Sequence, residues 1–181
     1  MHALLCILLL AITLPEQEKV NQASQVFQDF GRRVSDYLKL QKSVRSQMHG
    51  LKPTQSPEEI EHHERELAHG IRKARTAARQ GDIFTPGITA EFRRLIAETM
   101  QGPEAARIRE SLRSGAPVAP QALQVNASYP PAMPLQSTPP SLLKNLPALP
   151  TGLDYRVVGQ TLILRDTEAN VIVDFIPNVI S

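Results

Sequence analysis

The sequence predicts a mainly α protein with a small β element. It reads as an antiparallel helical hairpin or bundle over 15–114, a proline-rich extended arm over 115–150, and a three-stranded antiparallel meander over 151–181. Three observations predict this. Apolar residues recur at alternating spacings of three and four through the first half of the chain, which is the period of one helix face. Nine of the 15 prolines fall between Gly115 and Pro150. Residues 153–175 form three runs of strand-forming residues separated by short polar turns. The 181 residues are 41% hydrophobic, enough for one ordinary domain and a tail, yet only 4% aromatic with no Trp. A net charge of +2 with intermixed acids and bases gives no broad footprint for nucleic acid or an anionic membrane.

Residues 1–14 read as a signal peptide. Ala3 through Leu14 is a run of apolar or near-apolar residues, and Pro15-Glu16-Gln17-Glu18 follows it. The run is short of the ~20 residues a bilayer-spanning helix needs and suits the apolar region of an export signal. His2 stands where Lys or Arg is usual, and Ala11-Ile12-Thr13 offers small residues at the cleavage spacing. Left uncleaved, the segment would be an anchor, the only membrane contact expected. Cys6 is the sole cysteine, and its removal would leave no disulfide, thiolate zinc site or thiol nucleophile. The expected location is exported, periplasmic or extracellular, and a chain without disulfides fits a bacterial periplasm.

A long, coiled-coil-like helix is expected over 17–48. Val20, Ala23, Phe27, Phe30, Val34, Tyr37, Val44 and Met48 lie on one face, with Gln41 filling one slot. His49-Gly50 and Pro53 end it. Ser56 caps a second helix, with Pro57 at its first position and Glu59 completing a capping box. Its stripe is Ile60, His63, Leu67, Ile71, Ala74 and Ala78, and Gly81 stops it. Two helices joined by a short polar link fold back antiparallel. Thr85-Pro86 opens a third helix with Phe92, Leu95, Ile96 and Met100 on one face. Gly102-Pro103 breaks it, and Glu104–Arg113 forms a fourth with Ile108 and Leu112 inward.

Proline at the density of 115–150 argues against helix and central strand. The arm also carries recurring apolar residues, including Leu142, Leu143, Leu146 and Leu149, so part of it is expected to lie along the bundle. In the meander, Gly159-Gln160 suits a tight hairpin turn between Tyr155–Val158 and Thr161–Arg165. Asp166–Asn170 is the second turn, before Val171–Phe175. A three-stranded meander needs an apolar partner to be stable.

Few constellations suggest chemistry. His62, Glu66 and His69 share one helical stripe and could hold a divalent metal, although the His-Glu-x-x-His order of zinc proteases is absent. Arg72, Arg75 and Arg79 follow acids placed earlier in the same helix, an order the helix dipole favours without a ligand. Asp154, Asp166, Glu168 and Asp174 cluster in the meander and could do acid–base work if they met in a pocket, but Asp166 and Glu168 more simply shape the turn, and Asp154 opens a strand. Asn126-Ala127-Ser128 matches the glycosylation triplet, which is common by chance. No nucleophile elbow, phosphate loop or dinucleotide fingerprint occurs. No enzyme activity and no cofactor are expected.

The string from Tyr155-Arg156 through Gly159, Leu162, Leu164, Asp166 and Ala169-Asn170 to Val173-Asp174 resembles the C-termini of short exported bacterial proteins of unknown function. In those proteins a leucine- and proline-rich stretch precedes it. The turn Gly81–Pro86 and the helix before it look like part of the same pattern. The resemblance implies an exported bacterial protein and carries over no catalytic residue. The expected function is therefore non-enzymatic binding of a protein partner in the bacterial envelope, or self-association, with no nucleic acid involved. Tyr155, Arg165, Val171, Val173 and Phe175 are the candidate contact residues, and Val171–Phe175 would offer a free strand edge. The rival reading is a small metal-assisted hydrolase using His62, Glu66 and His69.

Overall fold

The computed structural model describes residues 14–48, 50, 54–113, 123–129 and 139–180, with side chains from Gln22 onward apart from Arg113. Residues 1–13 of the expected signal, with Cys6, lie outside the described residues, as do Pro53 and the arm residues 114–122 and 130–138. The helices, in chain order, are α1 (Leu14–Ser46), α2 (Pro57–Ala74), α3 (Pro86–Thr99), α4 (Ala105–Arg113) and α5 (Pro140–Leu143). They are followed by the strands β1 (Leu153–Val158), β2 (Thr161–Asp166) and β3 (Val171–Ile176). The strands pair antiparallel in the order β1-β2-β3. This is the mainly α fold with a small meander that the sequence predicts.

The 33 residues of α1 extend over ~50 Å at helical rise. Phe30, Val34, Tyr37 and Gln41 of its stripe are buried, while Ala23 and Phe27 are half-buried. The Ser56 hydroxyl caps α2 by accepting from the Glu59 N–H at 3.4 Å. The reciprocal half of the capping box is filled differently. The Ser56 N–H donates to Thr54 Oγ1 at 3.1 Å, and the Ser56 hydroxyl donates to Glu58 at 2.7 Å.

The α1–α2 pairing is antiparallel but displaced. Gly70 lies against Val44, the Arg75 guanidinium sits 5.0 Å over the Tyr37 ring, and Arg33 donates to the Asp82 carbonyl. The first turns of α2 therefore run past the end of α1. This leaves Ile60, which the apolar stripe places in the seam, 47% exposed. The helix also ends at Ala74 rather than continuing to Gly81. Arg75 leaves helical geometry with φ −120° and ψ 38°, because its side chain turns inward to Asn126 and to the Val173 carbonyl.

One apolar cluster joins helices and sheet. Phe30, Phe84 and Phe92 meet at ring separations of 5.1 to 5.8 Å, and Tyr155 closes on Phe92 at 6.0 Å. Ile108 of α4, Leu142, Leu146 and the inward face of the meander complete the same cluster. The meander has thus found its apolar partner, and removing it would open the core. The proline-rich arm contributes more order than its composition suggests. Pro140 starts α5, a position where the fixed φ and the missing N–H do no harm, and it carries Leu142 into the core with no exposed surface.

The two-residue hairpin turn places Gly159 at φ +57° between the paired Val158 and Thr161. The β2–β3 register shifts between Leu164 and Arg165. Residues 123–129 of the arm lie along the outer edge of β3 rather than along the bundle. Ser128 bridges Val171, the Asn126 N–H donates to the Ile172 carbonyl at 2.8 Å, and the Ile172 N–H donates to Ala127 at 2.9 Å. The expected free edge at Val171–Phe175 is accordingly occupied over its first residues by the chain's own strap.

A Cβ on Gly70 would fall inside any permitted contact with Val44 Cγ1, and valine is stiff at χ1 in a helix. Gly70→Ala should therefore lower stability by about 1–2 kcal/mol, the overpacking cost outweighing alanine's higher helix propensity. Thermal melts of Gly70→Ala, Val44→Ala and the double variant check this. The double variant should be more stable than the two single losses added together.

Candidate functional site

Two aspartates of the meander are buried without exposed surface, Asp166 and Asp174, and each binds the sheet to a different part of the helical layer. Asp166 ends β2. Its Oδ1 accepts from the N–H groups of Glu168 and Ala169 at 2.9 and 2.8 Å, which shapes the β2–β3 turn. Its Oδ2 accepts from the Tyr37 hydroxyl at 2.6 Å and from Gln41 Nε2 at 2.8 Å, both on α1. The Gln in the apolar stripe of α1 is therefore a sheet ligand rather than a filler. Glu168 extends the joint outward. It pairs with Arg45 at 2.9 Å and lies 3.9 Å from Nε2 of His63 on α2.

Asp174 is held by backbone alone. Its oxygens accept from the N–H groups of Gly81, Ile83 and Phe84 in the α2–α3 connection, and from Phe175, at 2.8 to 3.2 Å. Gly81 can present its N–H there because it adopts φ +94°, a conformation open to glycine at little steric cost. Every acceptor oxygen of the two aspartates is thus engaged by the fold, as turn shaping and anchoring require.

The contact candidates from the sequence are mostly internal. Val171 and Val173 are buried and Tyr155 is 7% exposed, with its hydroxyl donating to the Pro147 carbonyl at 3.0 Å. Phe175 is half-buried on the opposite sheet face. Arg165 and Arg156 both bind Asp154, at 2.9 and 2.6 Å, and Arg165 also lies 5.1 Å over the Tyr129 ring. A strand's alternation shows which residues suit a sheet, but not which face another segment covers.

His62, Glu66 and His69 line a surface groove of about 480 Å³ with Val44, Gln47, Met48, Arg65 and Gly70. His62 lies 3.7 Å from Glu66. Among the described residues, no group of three His, Cys, Asp or Glu side chains is placed to hold a metal ion. Asn126 of the glycosylation triplet is tied on both sides of its amide. Its Oδ1 accepts from Arg75 at 2.7 Å, and its Nδ2 donates to the Arg75 carbonyl at 2.8 Å.

The more apolar groove, of about 510 Å³, forms where the arm meets β1, with Leu143, Leu146, Pro147 and Leu149 on one side and Leu153 and Tyr155 on the other. Lys144 and the Asp154–Arg156 pair rim it. The recurring leucines of the arm were the sequence signal for this groove. No spacing rule signals the inward turn of Arg75. No described helix is long and apolar enough to cross a membrane. Comparisons with protein-family models, curated proteins and solved structures find no match to the chain.

Asp174→Ala should cost about 3–5 kcal/mol, because it leaves several buried N–H groups without acceptors. Tyr37→Phe, which removes one donor to Asp166, should cost only about 1–2 kcal/mol. Chemical denaturation of both variants checks the order.

Burial raises the phenol pKa of Tyr37, Tyr129 and Tyr155 above the ordinary value of 10.0, and the neighbouring Asp166 adds to the rise at Tyr37. A raised value in the folded state means that this stability is fully present below pH 10 and is lost as pH rises beyond it. With Tyr37 and Tyr155, the two most strongly shifted phenols, the loss should approach about 3 kcal/mol per pH unit. Ultraviolet titration should show the tyrosines ionising together, at the pH where ellipticity collapses. Stepwise ionisation of the folded chain would contradict this.

Proposed function

We propose that the protein is a non-enzymatic binding protein of the bacterial envelope, exported by its N-terminal apolar segment, which engages a protein partner through the groove between the proline-rich arm and β1. The groove is the observation that carries this reading. It lies where the arm meets the meander, its floor is apolar, and its rim has charge. Such a floor suits an apolar side chain presented by a partner, while the rim favours polar flanking groups. The aspartates that could have suggested acid–base chemistry are engaged in anchoring, which favours a surface-based role. The export segment and its fate rest on the sequence alone.

Truncating the meander would remove part of the core, so point substitutions in the groove are the suitable test. Ala148 is exposed, and Ala148→Asp places a charge in the groove without touching the core. The tagged wild-type chain, cross-linked in an envelope extract, should recover a partner. Ala148→Asp should reduce that recovery about tenfold with an unchanged melting temperature. The exposed substitution Lys73→Glu, on α2, serves as control. Equal recovery by wild type and Ala148→Asp would remove the groove from the proposal.

A further inference from the structure

The strap over β3 is attached in an unusual way. Its apolar anchor, Tyr129, packs with Ile163 and Ile172 in a small cluster separate from the main core, with Leu123, Val158 and Phe175 at its margin. Among the described residues, its backbone pairing with β3 and the turn before it runs over residues 126–129. Besides the two bonds to Ile172, the Tyr129 N–H donates to the Asn170 carbonyl at 2.7 Å. Side chains add Asn170 Nδ2, which donates to the Tyr129 carbonyl at 3.5 Å, the Arg165 guanidinium over the Tyr129 ring, and the Arg75–Asn126 pair, made with Asn126 at φ +66°. That conformation is unfavourable for most residues and tolerated by asparagine. Pro130 and Pro131 follow Tyr129 in the sequence, so no N–H is supplied there to lengthen the ladder. A short segment with few bonds and a private apolar cluster has the physical character of a unit that opens locally while the global fold persists.

We infer that residues 123–129 are a displaceable strap guarding an acceptor site for an extended peptide. Opening frees the Ile172 N–H and C=O and the Asn170 carbonyl, which is the hydrogen-bonding edge of β3. It also uncovers the shelf formed by Ile163 and Ile172, with the Arg165 guanidinium beside it. The strap defines what that site accepts: an extended segment bonding to the edge in the same register, with an aromatic ring in the place of Tyr129. Strand addition supplies the main-chain bonds, and the ring on the shelf under Arg165 supplies selectivity. The strap thus competes in cis with any such peptide, and apparent affinity falls by the fraction of chains in which it is closed. This inference is independent of the arm–β1 groove, and either can fail while the other stands.

The test uses the full chain and a labelled peptide that copies residues 123–129. Tyr129→Ala removes the strap's anchor and leaves the site intact. In the wild type, the Ile172 amide should exchange with solvent at least about tenfold faster than the Ile96 amide in the buried face of α3. Tyr129→Ala should widen that gap while leaving Ile96 protected. The peptide should bind Tyr129→Ala at least about tenfold more tightly than wild type, and a peptide with Ala in the tyrosine position should bind neither. Asn126→Ala, which breaks the clamp to Arg75 and keeps the anchor, should shift both readouts in the same direction. Equal exchange of Ile172 and Ile96, equal peptide affinity for wild type and both variants, or loss of Ile96 protection in both variants would overturn the inference.

Discussion

The bond between Tyr37 and Asp166 is the joint on which the rest of the molecule turns. A meander of three strands buries too little by itself to be stable, so it must be fixed to the helices in one position. Apolar contact is non-directional and sets no register, whereas a buried acceptor demands its donors at defined places. Asp166 divides its oxygens between the turn that follows β2 and two donors on α1. Asp174, one strand away, does the same for the α2–α3 connection. Sliding the sheet along α1 would leave both groups buried and unpartnered.

This joint explains features that helix periodicity alone leaves unexplained. Gln41 occupies an apolar slot because Asp166 needs a second donor there. Arg75 ends α2 where it does because its guanidinium spans Tyr37, Asn126 and β3 at once. The close passage at Gly70 sets the displaced pairing of the two long helices, and that displacement exposes Ile60. It also brings His63 of α2 toward Glu168, next to the joint. The arm–β1 groove is walled in part by Leu146, which, like Leu142 nearby, is held in the core.

Much of the architecture was legible because its causes are local. The Ser56-Pro57 start, the Pro86 start, the breaks near Gly50 and Gly102, and the Gly159 turn each depend on residues a few positions apart, and each is found. What was not legible depends on distant partners. The stripe of α2 could not show that its first turns pass beyond α1, because that offset is fixed by one glycine against Val44. Proline density in the arm argued for extension and did not show α5, since one turn started by proline needs no long helical signal. The alternation in β3 marked Val171 and Val173 correctly as strand residues. It gave no sign that a segment more than 40 residues earlier (Ser128 facing Val171) occupies the edge. For Asp166 only turn shaping was legible, and for Asp174 nothing of its buried role was, because Tyr37 and Gln41 on α1 and the N–H groups of the α2–α3 connection lie far away in sequence.

The distance along the chain between Tyr37 and Asp166, 129 residues, has a consequence for the order in which the molecule can be made. A chain that emerges from its N-terminus first presents Phe30, Val34 and Tyr37 long before β2 and β3 exist to cover them. Local helices can form early, yet closure of the core must wait for contacts of high sequence separation, which form late and slowly. Until the final strands arrive, the apolar face of α1 and the Tyr37 hydroxyl have only provisional company. A holding factor acting on the nascent chain would find its binding surface in that interval and lose it when Asp166 docks.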